Sequence, residues 1–355
     1  MNVIEHDIVT INQVKTAAAA FAGGRPVPAC SRTGSGHIHQ TYKVVLEGDG
    51  QEALILQRLN TQVFPNPAAI NENILKIAAF LENSGFEQQI LKPLPADSGA
   101  YLWIDDFGHH WRAFPLIKNT YSIDEASHPE QAKEIARTFG AYLAALAGFD
   151  ATQLHLTIPD FHNTPLRLAH LKSAVNAAAF PQRLDAATKL ITTLLDWEHL
   201  LNPLLQLSFP VRVTHNDTKL NNVLLDQTTG KGVCVIDLDT VMPGNILYDF
   251  GDLVRTAATT LPEDDPRTEE VAVNRQKYQA LAEGFFAPLE PVLSDLEKKY
   301  LPYGAVLITY EQSIRFLTDY LQGDVYYPVK YPEHNLVRAA NQAALVHSLL
   351  DELFS

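Results

Sequence analysis

The sequence predicts an α+β chain of two unequal lobes, a small β-rich N-lobe followed by a large, mostly helical C-lobe. Three observations carry that expectation. Residues 1–118 mix β-type runs with turn residues, the remainder is dominated by apolar residues at helical spacing, and the pattern changes about a third of the way along the chain. At 355 residues, 46% hydrophobic and 19% charged, the chain is long enough for two domains with a substantial core.

In order along the chain, Tyr42–Leu46 and Ala53–Leu59 read as two antiparallel strands, separated by Gly48-Asp49-Gly50, whose permitted positive φ suits a hairpin loop. After Pro67, the stretch Ala68–Leu81 spaces Ile70, Ile74, Ile77 and Leu81 as one face of a helix, and a further pair of strand-like runs surrounds Gly99 and Gly108. The connector Trp111–Lys118 is the candidate hinge, so residues 1–118 form the expected N-lobe with hinge and residues 119–355 the C-lobe. Beyond it, Ile135, Phe139, Tyr142, Leu143 and Leu146 stripe a helix over Pro129–Phe149. Helical periods follow over Asp185–Leu205, Glu270–Phe286, Leu296–Leu321 and Leu336–Leu353, with Pro-containing breaks among them.

Composition excludes several partners. With 27 basic against 41 acidic side chains the formal charge is −14, which repels polyphosphate backbones and anionic lipid and so argues against nucleic acid and membrane surfaces. A cationic or neutral small molecule is easier to accommodate. Cys30 and Cys234 are the only cysteines, too few for a disulfide framework and without zinc-site spacing. The start, MNVIEHDIVT, has neither a basic nor an apolar targeting segment, and no run approaches the ~18 apolar residues of a membrane span. These features lead us to expect a cytoplasmic protein, with a monomer favoured.

The chemistry concentrates in Thr214–Asn222, T-H-N-D-T-K-L-N-N, followed by the apolar run Val233–Ile236 that ends in Asp237. This is the H-x-D-x-x-x-x-N form of a phosphotransfer loop with an acidic strand end behind it. Moving a γ-phosphoryl group to an alcohol needs a carboxylate beside the acceptor hydroxyl, hard oxygen ligands for Mg²⁺ and positive charge on the phosphate oxygens. Asp217 supplies the carboxylate, Asn222 and Asp237 the metal ligands, and Lys219 the charge on the transferring group, with a solvent-facing lysine as the plainer reading of Lys219. A lone H-x-D means little, but here the Asn stands at the required offset and the Asp-terminated strand follows. His215 is expected to brace the loop through backbone carbonyls rather than carry a proton.

At these residues the chain resembles the aminoglycoside phosphotransferase family, relatives of the protein kinases that phosphorylate small alcohols. The resemblance implies a two-lobed protein-kinase-like fold, ATP and Mg²⁺ as cofactors, Asp217 as catalytic base, and Asn222 and Asp237 as metal ligands. More narrowly, Thr214–Asn222, I-D-L-D-T-V-M-P-G at Ile236–Gly244, Y-D-F-G-D at Tyr248–Asp252 and I-R-F-L-T-D-Y-L at Ile314–Leu321 look like those members that phosphorylate the anomeric hydroxyl of N-acetylglucosamine or N-acetylgalactosamine. That likeness makes a small-molecule sugar the expected substrate and Arg315 and Tyr326 expected sugar contacts.

Thr33–Tyr42 fits the short nucleotide loop of that family, in which small residues let backbone N–H groups approach the phosphates, and Ser35, Gly36 and His37 are the expected contacts. Two glycines between strands otherwise mean only a hairpin. His39 stands where the third glycine of G-x-G-x-x-G would be, and no Walker A pattern occurs. The lysine that protein kinases carry on their third strand is also missing, because the run reads Ile55-Leu56-Gln57-Arg58-Leu59. Strand alternation lets only one of Gln57 and Arg58 face the cleft; Arg58 is favoured for its charge, with Glu72 as a partner. In the hinge, Pro115 and Ile117 are expected to offer backbone groups to the adenine.

Around the substrate, Arg315 and Asp319 stand at i, i+4 on one helix face, which is either a sugar site or a surface ion pair of small value. A polar sugar needs donors such as Arg and Tyr in place of lost water, and Tyr326-Tyr327 can stack on its ring. Asp239, two residues past Asp237, is expected on the same strand face, touching metal, phosphate or sugar. The rival readings are a kinase of an aminoglycoside, choline, homoserine or another sugar, for which an arginine in the pocket disfavours a cationic acceptor, and a nucleotide-binding regulator without catalysis. The regulator is set back by the presence of Asp217, Asn222 and Asp237 together.

Overall fold

The computed structural model describes residues 9–34, 38–48 and 53–354. The chain begins with α1 (Ile11–Ala19), closed by a capping box in which the Thr10 hydroxyl accepts from the Gln13 amide at 3.3 Å and the Gln13 side chain accepts from the Thr10 amide at 2.8 Å. Strands β1 (Ala29–Arg32), β2 (Gln40–Val45) and β3 (Ala53–Arg58) follow. Helix α2 (Pro67–Ser84) has Asn66 as its cap, Pro67 at its first turn and left-handed Gly85 at its end. Strands β4 (Trp103–Ile104) and β5 (His110–Pro115) complete a five-stranded antiparallel sheet in the order β1-β2-β3-β5-β4.

The register sorts the two faces of that sheet. Tyr42 lies opposite Leu56 and Leu56 opposite Ala113, and this row faces α1 in a small core with Val44, Leu54 and Trp111. The alternate row, Thr41 opposite Gln57 and Gln57 opposite Arg112, faces the C-lobe. Helix α2 joins the large core of the second lobe through Ile70, Ile74, Ile77 and Leu81, so the apolar packing does not divide cleanly at the hinge.

After β6 (Thr120–Tyr121) come α3 (Pro129–Ala145), α4 (Thr164–Ala177), α5 (Pro181–Asp196) and α6 (Glu198–Leu205). Strands β7 (Arg212–Thr214), β8 (Val223–Asp226), β9 (Gly232–Val235) and β10 (Met242–Gly244) carry the chemistry-bearing segment, β7 pairing with β10 and β8 lying between β6 and β9. The C-lobe ends with α7 (Ile246–Ala257), α8 (Arg275–Leu289), α9 (Asp295–Tyr300), α10 (Tyr303–Gln322) and α11 (His334–Phe354). Helix α10 is buried along nearly its whole length, with α4, α7 and α11 packed around it. Where α7 crosses α10, a Cβ on Gly251 would sit 2.2 Å from the Gly304 carbonyl oxygen and a Cβ on Gly304 would sit 2.2 Å from that of Leu247, so both positions require glycine. Among the described residues no helix is long and apolar enough to cross a membrane.

The structure corrects several local expectations. Trp111–Pro115 is not hinge but β5, with Trp111 and Arg112 buried, which leaves only residues 116–119 as the link. The helix expected over Asp185–Leu205 is broken at Trp197, and that over Leu296–Leu321 is broken at Leu301-Pro302 because proline removes an N–H from the helical ladder. Of the two glycines, Gly108 lies between β4 and β5, whereas Gly99 sits in a turn. Helices α1, α4 and α7 were not anticipated. Helix α7 does carry a helical period, with Ile246, Leu247, Phe250, Leu253, Val254 and Ala257 opposite Asp249, Asp252 and Arg255, but its polar residues are buried as well, and in the sequence Tyr248–Asp252 reads only as a motif. The turn Asp49-Gly50 and the nucleotide-loop residues Ser35, Gly36 and His37 lie outside the described residues.

Candidate active site

The loop after β7 is held by its backbone. Asn216 adopts a left-handed φ of +62°, and the amides of His215 and Asn216 donate to the two oxygens of Asp249 on α7 at 2.8 and 2.6 Å. His215 donates from Nε2 to the Ile236 carbonyl at 2.9 Å and accepts from the Asp217 amide at Nδ1, at 3.3 Å. Its bonds account for both ring nitrogens, so His215 braces the loop. The Thr218 hydroxyl reaches the Asp249 carbonyl at 2.5 Å and that of Thr240 reaches the His215 carbonyl at 2.6 Å. Replacing Asp249 by Asn sets an amide NH₂ against a buried N–H; unfolding stability is expected to fall by about 2–3 kcal/mol in a denaturant titration, with turnover falling alongside.

These bonds aim Asp217 into the cleft. One of its oxygens is 2.6 Å from Lys219 Nζ and the other accepts from Asn222 Nδ2 at 3.1 Å. Desolvation opposes its charge, but Lys219, His215 and the Asn222 bond outweigh that and hold the Asp217 carboxyl below the usual range. The Asn222 nitrogen also donates to the Asp217 carbonyl at 2.8 Å, which orients the amide and leaves its oxygen for another partner.

Asp237 follows β9 with a left-handed φ of +59° and opens a single 3₁₀ turn, Leu238–Thr240. Among the described residues its carboxylate has neither a hydrogen bond nor an ion pair. Desolvation within the cleft, then the negative charges of Asp239 and Asp217, push its pKa up to about 6. An uncompensated carboxylate beside a free amide oxygen suits a hard divalent cation, which commonly takes one or two protein oxygens and completes its shell with phosphates and water.

Asp239 differs from expectation. The strand has ended before it, and the turn directs it to the N-lobe, where it is 2% exposed with Arg112 Nη1 at 2.6 Å and His39 Nε2 at 2.5 Å. Its carboxylate is spent on the chain itself and does not face metal, phosphate or sugar. Arg58 is corrected as well. It shares the face of Leu54 and Leu56 toward α1, and Gln57 is the β3 residue turned to the cleft. Glu72 is engaged elsewhere, with His155 Nε2 at 2.7 Å.

Toward the far end of the cleft, Asp252 on α7 is paired with Arg255 at 2.7 Å, and Arg255 in turn reaches Glu263 at 2.5 Å. Lys219 feels the charge of Asp252, and Arg315 that of Arg255, which places these groups along one wall. Arg315 donates to Gln312 at 3.3 Å, with its guanidinium over the rings of Phe161 and Tyr327 at 5.6 and 5.8 Å. Tyr326 is 63% exposed and meets Tyr327 edge to face at 4.8 Å.

Asp319 takes no part in that wall as a ligand. Its carboxylate accepts from the amides of Val325, Tyr326 and Tyr327 at 2.9, 2.8 and 2.9 Å and from Asn335 at 2.9 Å. With its acceptor positions used by the loop, it neither pairs with Arg315 nor faces a sugar; it holds the loop that presents Tyr326 and Tyr327. Asp319→Ala is expected to cost about 2 kcal/mol of stability and to raise KM for the acceptor several-fold while leaving KM for the nucleotide unchanged, measured by denaturant titration and steady-state kinetics.

A family model described as "Phosphotransferase enzyme family" matches residues 29–284, most of the chain, with β1 and the catalytic segment inside it. The chain belongs to the phosphotransferase enzyme family. Solved structures agree in fold. A spectinomycin phosphotransferase in complex with ADP and spectinomycin is 13% identical, with 97% of this chain and 98% of that one covered and a TM-score of 0.60. A microcompartment-associated aminopropanol kinase is 16% identical over 97% and 98%, at a TM-score of 0.60. An amicoumacin kinase in complex with AMP-PNP and Ca²⁺ is 14% identical over 95% and 93%, at 0.62. The architecture is therefore that of the kinase-like phosphotransferases, an antiparallel N-lobe sheet over a helical C-lobe.

The structure brings Asp217, Lys219, Asn222 and Asp237 together and sets Arg315 and Tyr326 apart from them, both against Tyr327. Sequence reasoning set Gln57 behind Arg58 and missed the roles of Arg112 and His39, which both meet Asp239, and of Asp249, which carries the catalytic loop. The one signal for Asp249 lay in Y-D-F-G-D, read there only as a resemblance. Nothing local marks Arg112, because its partners Gln57 and Asp239 lie 55 and 127 residues away in sequence (112 minus 57, 239 minus 112).

Proposed function

We propose that the chain transfers the γ-phosphoryl group of ATP, with Mg²⁺, to the anomeric hydroxyl of an N-acetylhexosamine, giving the 1-phosphate. The observation that carries the phosphotransfer reading is the grouping of Asp217, held ionised between Lys219 and Asn222, with the unpartnered Asp237. Asp217 receives the acceptor hydroxyl, orients it in line and takes its proton as the new P–O bond forms and the bond from the γ-phosphorus to the β-phosphate oxygen breaks, releasing ADP. Lys219 neutralises charge on the transferring group once the hydroxyl shares Asp217. Asn222 Oδ1 and Asp237 would hold the metal, which would offset the negative charge of the triphosphate. In the link, the Ile117 carbonyl already accepts from the Thr120 hydroxyl at 2.8 Å, so its N–H, with the Pro115 carbonyl, is what this segment offers a base.

The sugar rests on the acceptor wall. Its carboxylates already face donors of the chain, Glu311 with Thr164 and His162, and Asp252 and Glu263 with Arg255, which leaves a polycation little to bind. Arg315 and the exposed Tyr326 instead suit a neutral ring bearing an amide oxygen. The test is Mg²⁺-dependent ADP release against N-acetylglucosamine, N-acetylgalactosamine, glucose, choline, homoserine, an amino alcohol and kanamycin, with phosphorus NMR of the product. An anomeric phosphate on an N-acetylhexosamine is the expected result. Turnover confined to another alcohol overturns the substrate and keeps the chemistry.

A further inference from the structure

Four side chains from both lobes meet on the cleft face of the N-lobe sheet. Arg112, midway along β5 and 1% exposed, lies opposite Gln57 and gives Nε and Nη2 to its Oε1 at 2.9 and 2.8 Å. The rest of the guanidinium grips Asp239, with Nη2 at 2.7 Å from Oδ2 and Nη1 at 2.6 Å from Oδ1. His39, at the base of the nucleotide loop, adds Nε2 to Oδ2 at 2.5 Å and accepts the Asn60 amide at Nδ1, at 3.0 Å, so the neutral ring is bonded on both sides. Every donor to Asp239 thus comes from the N-lobe, while Asp239 itself belongs to the turn that begins at Asp237.

That turn is fastened on its other side too. Thr240 donates to the His215 carbonyl at 2.6 Å and its own carbonyl accepts from Asn216 at 2.9 Å, while the Val241 carbonyl accepts from Asn73 of α2 at 3.0 Å. Asp237 stands at the head of this bolted turn with a backbone φ of +59° and no partner of its own among the described residues. Aspartate enters the left-handed region more readily than most non-glycine residues, and here the bonds on both sides of the turn hold it there.

We propose that Arg112 and Asp239 are positioning residues for Asp237: their buried ion pair fixes the left-handed turn that aims the Asp237 carboxylate at the metal, and His39, just before β2, is tied to the same turn. The cation that β3 lacks is supplied from β5, where the pairing register brings it over Gln57. A guanidinium suits the task because one planar fork bonds an amide and a carboxylate at once, which an ammonium cannot do. The proposal rests on the metal role given to Asp237 above.

The experiment measures the Mg²⁺ activation constant and the metal-dependent binding of ADP in the full-length protein. Arg112→Lys and Asp239→Asn are expected to raise the activation constant about 10–100-fold, with KM for the acceptor within about twofold of wild type. Since removing one partner strands a buried charge and can prevent folding, the decisive variant is the neutral pair Arg112→Gln with Asp239→Asn. It is expected to melt near the wild-type temperature and still show the raised constant. His39→Gln should move the same constant in the same direction by less. A neutral pair with wild-type Mg²⁺ activation overturns the proposal. Asp237→Asn separates the two claims, since wild-type metal dependence in that variant overturns the metal site itself, whereas its loss beside an unaffected neutral pair overturns only the positioning role.

Discussion

Asp217→Asn is expected to lower kcat by about 10³-fold, within the range a positioned carboxylate contributes to proton transfer, while the affinity for ATP stays within a few-fold of wild type. The isosteric amide keeps the acceptor of Asn222 Nδ2 in place but removes the charge that faces Lys219 Nζ at 2.6 Å and the site for the acceptor proton. Because Asp217 is held below the usual carboxylate range, it stays ionised through the neutral range and should impose no acid limb on kcat above about pH 5. Single-turnover kinetics with isothermal titration of ATP separate the two quantities. Near wild-type turnover in this variant would show that the base is another group.

Asp237→Asn is expected to remove both turnover and metal-dependent nucleotide binding, the latter by at least about 10-fold, with metal-free ADP binding retained. The pH dependence gives an independent check. Desolvation and the neighbouring Asp239 and Asp217 raise Asp237 to about 6, so below that pH the free protein carries a proton there, which Mg²⁺ must displace. Apparent Mg²⁺ affinity should therefore fall as pH drops through 6 and level off above 7, and saturating Mg²⁺ should shift the acid limb of activity downward. Asp237→Asn should abolish that shift. An acid limb near 6 that ignores the Mg²⁺ concentration would assign it to a different group.

The two predictions rest on residues that were legible for different reasons. Asp217, Lys219 and Asn222 lie within six consecutive positions, so the short loop between β7 and β8 already keeps them close together in space. Strand β2 and helices α2, α3, α8 and α11 were legible because each shows one more buried and one more exposed face, which leaves a period in the sequence, and β3 through its apolar run after the turn. Helices α7 and α10 lie against other elements on nearly all sides. The period of α7 was passed over because its stretch reads first as the motif Tyr248–Asp252, while α10 was found through its length and then joined wrongly to α9.

Side-chain roles were misread where the choice between two partners depends on distant segments. Asp319 and Arg315 have ion-pair spacing on α10, but the amides of Val325, Tyr326 and Tyr327 fold back and take the carboxylate first. Arg58 has the charge expected of a phosphate anchor, yet the register of β3 against β2 and β5 turns Gln57 to the cleft instead.

By itself, then, the sequence determined the two-lobed α+β class, the loop that carries Asp217 and Asn222, and the acidic strand end at Asp237, because hydrophobic period and short-range spacing are local properties. Only the tertiary structure decided that Asp239 is a tie between lobes, that Arg112 of β5 is its ion-pair partner and that Asp249 suspends the catalytic loop. Each of those is a buried charge. A buried charge takes whichever opposite charge or N–H group the packed chain brings within about 3 Å, and that choice is made by the packing of segments remote in sequence.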